Sequence, residues 1–197
     1  PGLGHLAALY RARVLVRRGY RFAATADIRK FFPSTSASVV RKTLLAGRYG
    51  LSDGLISLGT SFSSANVLRM GDHPGVVDGS RPRWEPSGDV LLQGSRLAPV
   101  LANVAAFQLL DAPFNEEVGT DVSYLRYADD ILLLARTAGD ASAALRLLRD
   151  LTGPTPWMLH PEKTSREPTD LGETPIEWLG MAIGTDGITL PDRKRDG

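Results

Sequence analysis

Residues 124–136 read YLRYADDILLLAR and set two adjacent aspartates, Asp129 and Asp130, between two apolar, strand-forming runs. The flanking VSYLRYA and ILLLAR predict two strands of a hairpin whose tip is Ala128-Asp129-Asp130. Two ionised carboxylates held side by side repel. Burying each costs several kcal/mol unless a cation compensates. Such a pair therefore belongs either on a solvated turn or around a metal ion, and the pair alone does not separate these readings.

The rest of the chain sets the frame. With 197 residues, 43% of them hydrophobic and 23% charged, it can bury one substantial core, with room for a small attached lobe. Its longest apolar run, ILLLA, is far too short to cross a bilayer. There is no cysteine, which excludes disulfides and thiolate metal sites and leaves the compartment open. The chain opens on Pro1 without a secretory pattern, and the expectation is a piece of a longer protein. Charge is lopsided: residues 1–50 hold ten Arg and Lys against one acid, Asp27, giving +9 and leaving −8 for the remainder of a chain of net charge +1. This is either an electrostatic footprint for a polyanion or a solvated basic helical face.

Periodicity gives the elements. Residues 5–18 predict a basic helix, and YRFAATADI a strand ending at Asp27. PSTSASVVRKTLLAG predicts a Ser-capped helix stopping at Gly47, with another helix near 52–66. The Gly-, Pro- and Ser-rich stretch 71–89 predicts an exposed loop or hairpin. PVLANVAAFQLLDAPFNEEV carries Val100, Val104, Phe107, Leu110 and Phe114 at helical spacing. Asp140 is expected to cap a further helix bearing Leu145, Leu148 and Leu151, and IEWLGMAIGTDGITL to form a hairpin turning at TDG. The fold class is α+β: an antiparallel sheet backed by helices on one face, the other face open to a ligand.

If the strand ending at Asp27 lies beside the YADD hairpin, three carboxylates meet at one sheet edge. Oxygen ligands of this kind suit Mg²⁺, which keeps waters and takes few protein carboxylates besides substrate phosphates. Two such ions about 4 Å apart clamp an in-line phosphoryl displacement.

Five segments in order then carry a family resemblance over about residues 20–185. ADIRKFFPS resembles the first carboxylate motif of reverse transcriptases, particularly the bacterial retron-like and group II intron-like enzymes. LLQGSRLAPVLANVAAFQLLD resembles their Gln-Gly motif and following helix, and YLRYADDILLLAR their catalytic hairpin. LHPEKT resembles the lysine-bearing segment, and EWLGMAIG the hairpin that grips the primer end.

The resemblance implies a palm-type sheet with partial fingers and no complete thumb. Residues 1–20 would be a basic remnant of fingers, 21–190 the palm with a fingers-like insertion at about 36–90, and 191–197 a tail. It implies Asp27, Asp129 and Asp130 as carboxylates for two Mg²⁺ ions (Mn²⁺ as a substitute), with the Ile28 carbonyl completing a metal shell. Phe32, five residues after Asp27, falls on the steric-gate position that excludes a ribose 2′-hydroxyl; the other reading is a core aromatic. Phe31 beside it is expected to point into the core, because neighbours alternate on a strand. Gln93 and Gly94 match the nucleotide-pocket motif. Asn103 matches an asparagine of the following helix, or else bonds its own helix. Lys163 would neutralise or protonate departing pyrophosphate, or is an exposed lysine. Tyr127 is expected beneath the aspartates. None of Arg11, Arg13, Arg17, Arg18 and Arg21 matches the family's triphosphate-holding finger residues.

The activity so implied is RNA-directed DNA polymerisation, transferring dNTPs onto a 3′-hydroxyl of a DNA or RNA primer along an RNA template. A structured noncoding RNA is a further implied partner, with a cytoplasmic location and no membrane. The alternatives are an untemplated or protein-primed DNA polymerase of an antiviral defence system, and a catalytically silent nucleic-acid-binding module.

Overall fold

The computed structural model describes residues 4–47, 51–63, 67–69, 83–85, 91 and 96–191. In chain order the elements are α1 (His5–Arg17), β1 (Phe22–Arg29), the short α2 (Phe31–Ser34), α3 (Ala37–Ala46), α4 (Asp53–Ser63), β2 (Val67–Arg69), β3 (Arg83–Glu85) and α5 (Ala98–Ala106). A π-helical turn, Phe107–Asp111, leads into α6 (Ala112–Glu117). Then come β4 (Val122–Tyr127), β5 (Asp130–Ala135), α7 (Ala138–Thr152), β6 (Met158–Leu159), β7 (Thr169–Asp170), β8 (Ile176–Trp178), β9 (Met181–Gly184) and β10 (Gly187–Thr189). They divide into two compact units, residues 1–31 with 109–197, and residues 32–108.

The first unit is built on an antiparallel sheet of order β4-β5-β1-β6, with β7 also pairing with β1. Opposed residues of an antiparallel pair share a face. The register Ala23↔Leu134, Thr25↔Leu132 and Asp27↔Asp130 therefore defines one face of the sheet. Against the apolar end of that face, α1 lays Leu9, Ala12 and Leu15, together with Trp178 and Ile183 of the β8–β10 sheet. The opposite face carries Ala24, Ala26, Leu133 and Ile131, and α6 and α7 cover it. Ring contact between Phe114 and Tyr124, centroids 4.7 Å apart, fixes α6 there. Coverage on both faces explains why Ile131–Ala135 is a continuous buried run and not an alternating one. It also corrects the expectation of one helix-free face: among the described residues, this core covers the Ala23–Leu134 end of the first face and stops short of the aspartate end.

Two local readings are also corrected. The cap of α7 is Thr137, whose hydroxyl accepts from the Asp140 amide at 3.1 Å and donates to the Asp140 carboxylate at 2.6 Å, so Asp140 stands at the third helical position and not at the cap. The C-terminal hairpin is a three-stranded meander. Its additional turn is Leu179-Gly180, a two-residue loop with φ of 51° and 74°, the left-handed pair a tight hairpin needs. The expected turn at Thr185-Asp186 follows it.

In the second unit α3 packs against α4 and α5. As expected, Ser36 caps α3 by accepting from the Val39 amide at 3.1 Å, and Gly47 ends it. The face of α5 differs from expectation. Ala98, Ala102 and Ala105 are buried and Val100 is more than half exposed, because close helix packing selects the small side chains; beyond α5, Phe107 is also more than half exposed, while Leu110 and Phe114 are buried as expected. β2 pairs with β3, and most of the expected 71–89 loop lies outside the described residues.

Candidate catalytic and metal site

Asp27 is near the end of β1, and its strand partner across the ladder is Asp130, the first residue of β5. Asp130 is also paired with Tyr127, so the hairpin loop is two residues, Ala128 and Asp129. The Ile28 amide donates to the Asp129 carbonyl at 2.9 Å, which ties the loop to β1. Ladder register thus brings residue 27 to one sheet end with residues 129 and 130, which lie 102 and 103 positions further along the chain. Asp27 is 7% exposed. The Asp130 carboxyl is held above its ordinary range, first by burial and then by the charges of Asp129 and Asp27, with Lys163 opposing. The site is one with more negative charge than it can comfortably hold.

The segment after β6 supplies a cation. The His160 amide donates to the Asp27 carbonyl at 2.7 Å and the Ser165 amide to the Thr25 carbonyl at 2.8 Å, while the Thr25 amide donates to Ser165 Oγ at 2.9 Å. Both ends of a short turn are thereby fastened along the edge of β1 between its pairings with β6 and β7. Lys163 rides on that turn and places Nζ 2.9 Å from Asp27 Oδ2. Its ammonium is held above its ordinary range by this hydrogen bond, by the charge of Asp27 and more weakly by Asp130 and Asp129. Beside it is an open groove of about 440 Å³ lined by Thr25, Pro161, Glu162, Lys163, Thr164, Ser165 and Arg166.

Three mutually repelling carboxylates with hard oxygen donors, one of them held by a largely exposed ammonium, are a donor set that suits a hard divalent cation. Among the described residues no three His, Cys, Asp or Glu side chains already stand as a closed ligand group. Asp27 instead points to Lys163. A divalent ion bound here would add to the three aspartates the positive charge that Lys163 supplies by hydrogen bond to Asp27 and only at longer range to Asp130 and Asp129.

Beneath the turn lies a network that sequence reasoning missed. Arg126, with a side chain only 7% exposed, forks onto Asp111: Nε to Oδ1 at 2.7 Å and Nη2 to Oδ2 at 2.6 Å. Its Nη1 donates to the Ala128 carbonyl at 2.8 Å. The Tyr124 hydroxyl also donates to Asp111 Oδ1, at 2.7 Å. Burial lowers the affinity of Arg126 for its proton, and the hydrogen bond and charge of Asp111 more than reverse this. Tyr124 is held well above its ordinary value, chiefly by burial and then by Asp111, so its hydroxyl stays a donor. The available signal was period-2 alternation: Arg126 falls on the face of Tyr124, away from the aspartates, where an arginine needs a buried acid.

Residues 11–183 match the sequence profile of the family described as Reverse transcriptase (RNA-dependent DNA polymerase). The chain belongs to the reverse transcriptase family. Its α+β fold of helices on an antiparallel sheet is the palm-type fold, and solved structures agree. Apo telomerase from Candida tropicalis, truncated from its C-terminal domain, superposes with a TM-score of 0.69 at 12% identity, over 97% of this chain and 40% of that one. Telomerase from Candida albicans in complex with the TWJ fragment of telomeric RNA gives 0.59 at 14% identity, over 94% and 35%. The chain thus spans well under half the length of either. No curated protein sequence matches it.

Within this reverse transcriptase fold the other expected residues are distributed as follows. Ile28 is fully buried next to Asp27. Phe32 lies in the second unit, on the helical turn α2 and not on the strand, because Lys30 (φ 51°) ends the extended run. Phe31 is buried as expected, but through that turn and a ring contact with Trp157 at 5.6 Å. Asn103 donates to the Pro99 carbonyl of its own helix at 2.8 Å. Gln93 and Gly94 lie outside the described residues. Tyr127 is 40% exposed and meets His5 edge-on at 6.5 Å, so it flanks the aspartates and does not pack under them. Among the described residues, no helix is long and apolar enough to cross a membrane.

Proposed function

We propose that this chain is the catalytic palm of an RNA-directed DNA polymerase that transfers dNTPs onto a primer 3′-hydroxyl. The observation that carries the reading is the register Asp27↔Asp130 with Asp129 in the adjoining two-residue loop. Asp27, Asp129 and Asp130 would hold two Mg²⁺ (or Mn²⁺) ions, with the Ile28 carbonyl as a further ligand. Bound there, the ions would lower the pKa of the attacking hydroxyl and neutralise the leaving pyrophosphate. The chain's own residues orient and exclude. Burial of Asp27 fixes the carboxylate on the rigid central strand, and the loop tied to Ile28 holds Asp129 beside it. Lys163 would release Asp27 as cations enter and turn its ammonium to the departing pyrophosphate. Phe32 would exclude a 2′-hydroxyl, while Gln93, Gly94 and Asn103 would contact the incoming nucleotide.

Residues 21–190 would form the palm, with 36–90 as a fingers-like insertion. ADIRKFFPS supports a bacterial retron-like or group II intron-like subtype. To that subtype we assign a structured noncoding RNA as partner, a DNA or RNA primer and a cytoplasmic location, while a role in antiviral defence belongs to the untemplated or protein-primed alternative. The RNA fragment in one structural neighbour supports an RNA partner.

The test is primer extension by the complete encoded protein on an RNA template, wild type beside Asp129→Ala/Asp130→Ala. Extension by wild type and none by the variant is expected. Product from the double variant would overturn the metal assignment. Equal product without template would transfer the reading to an untemplated polymerase, and nucleic-acid binding without product to a silent binding module.

A further inference from the structure

The Asp111–Arg126 pair is buried under the turn that bears the aspartates. A charged guanidinium on the helix-covered face of β4 is costly to bury, and its five donors are placed to defray this. Two bonds go to Asp111 in the bidentate geometry that suits a carboxylate. A third goes to the carbonyl of Ala128. Ala128 has φ 55°, a left-handed conformation that residues with a Cβ rarely adopt. Such conformations persist where the surroundings over-determine them, and here the Arg126 bond is on one side of the turn and the Ile28 amide on Asp129 on the other.

The guanidinium is itself fixed from several directions. It stands 5.8 Å over the Phe31 ring, on the segment leaving β1 four residues after Asp27. Asp111 ends a π-helical turn, the one-residue insertion that re-aims a helix and recurs at functional sites. Asp111 also takes the Tyr124 hydroxyl, and its carbonyl accepts from Asn115 at 2.6 Å. The contacts of Arg126 therefore span the exit of β1, the loop carrying Asp129, and the helix beneath.

We propose that Arg126, clamped by Asp111, is a positioning residue: it holds the Ala128 carbonyl and thereby sets Asp129 and Asp130 against Asp27 for divalent-cation binding. This rests on the metal role given to those aspartates above. Arg126 touches neither cation nor substrate. Its contribution is to the rigidity and direction of the loop, and outer-layer partners of this kind typically change metal affinity by ten- to a hundredfold.

The test is Mn²⁺ binding to the chain, followed by the paramagnetic signal of free Mn²⁺, in four proteins. Asp111→Asn/Arg126→Gln replaces the buried ion pair by neutral amides, so no unpaired charge is left to unfold it, and the shorter glutamine lacks the third donor to Ala128. It should retain its circular dichroism and bind Mn²⁺ about tenfold more weakly than wild type. Tyr124→Phe removes a bond to Asp111 without touching the loop; it should melt earlier and bind Mn²⁺ as wild type does. Asp129→Ala should abolish binding. Wild-type affinity in the folded double variant, with binding lost in Asp129→Ala, overturns the positioning role and leaves the metal reading intact. Equal weakening in Tyr124→Phe also overturns it, by making the effect one of general loosening. Undiminished binding in Asp129→Ala overturns the metal reading itself.

Discussion

Replacing Lys163 by methionine separates two roles for that side chain. Its ammonium is 2.9 Å from Asp27 Oδ2, but the lysine side chain is 62% exposed. An ion pair so open to water is worth about 0.2–1 kcal/mol, so Lys163→Met should lower Tm by no more than about 4 °C in a chain of this size. Metal binding should respond in the opposite sense. Two unit charges about 4 Å apart in water attract by about 1 kcal/mol. A divalent cation claiming Asp27 must displace that ammonium, and removing the competitor returns about this much, which is roughly fivefold tighter Mn²⁺ binding. Polymerisation should nevertheless fall by about 10²–10³-fold in kcat, because the cation proposed to face the leaving group is gone when charge develops there. The assays are calorimetric Mn²⁺ titration and single-turnover dNTP incorporation by the complete encoded protein. Weaker Mn²⁺ binding in Lys163→Met would refute the competition argument. Tighter binding with undiminished turnover would leave Lys163 as a charge partner of Asp27 alone.

Three further outcomes are expected. A carboxyl raised in the folded state binds more protons folded than unfolded between its ordinary and raised values, so stability falls as pH rises through that window and ionised Asp130 is a cost at neutral pH. Asp130→Asn should therefore raise Tm at pH 7, by less than about 4 °C because the group is only partly buried and solvent screens it, and the gain should vanish below the ordinary value of 3.8; thermal melts across pH check this. Phe32→Ala in the complete protein should admit ribonucleotides more readily, read as the ratio of rNTP to dNTP incorporation, and an unchanged ratio would make Phe32 a packing residue. Thr137→Ala should cost about 1 kcal/mol in urea unfolding, whereas Asp140→Ala, which keeps the cap oxygen, should cost less.

What the sequence determined by itself was local. Hydrophobic periodicity placed α1, β1, α3 and the β4–β5 hairpin within a residue or two, because each is an amphipathic or buried run with a residue-encoded end: Ser36 and Gly47 around α3, the charged pair between two apolar strands. The aspartates were legible for the same reason, since ionised groups among β-formers are conspicuous. Pairing was not legible. That Asp130 and not Asp129 opposes Asp27 depends on a two-residue loop, and one residue more or less would send the carboxylate to the other face. Period alone could not tell the alanine face of α5 from its valine face, because helix–helix distance and not hydrophobicity decides which packs. Nor could it reveal Arg126, whose charge reads as solvent-exposed until a π-turn more than a dozen residues upstream brings Asp111 beneath the hairpin. Long-range register and the burial of paired charges are set by contacts between segments distant in sequence, and only the folded chain supplies these.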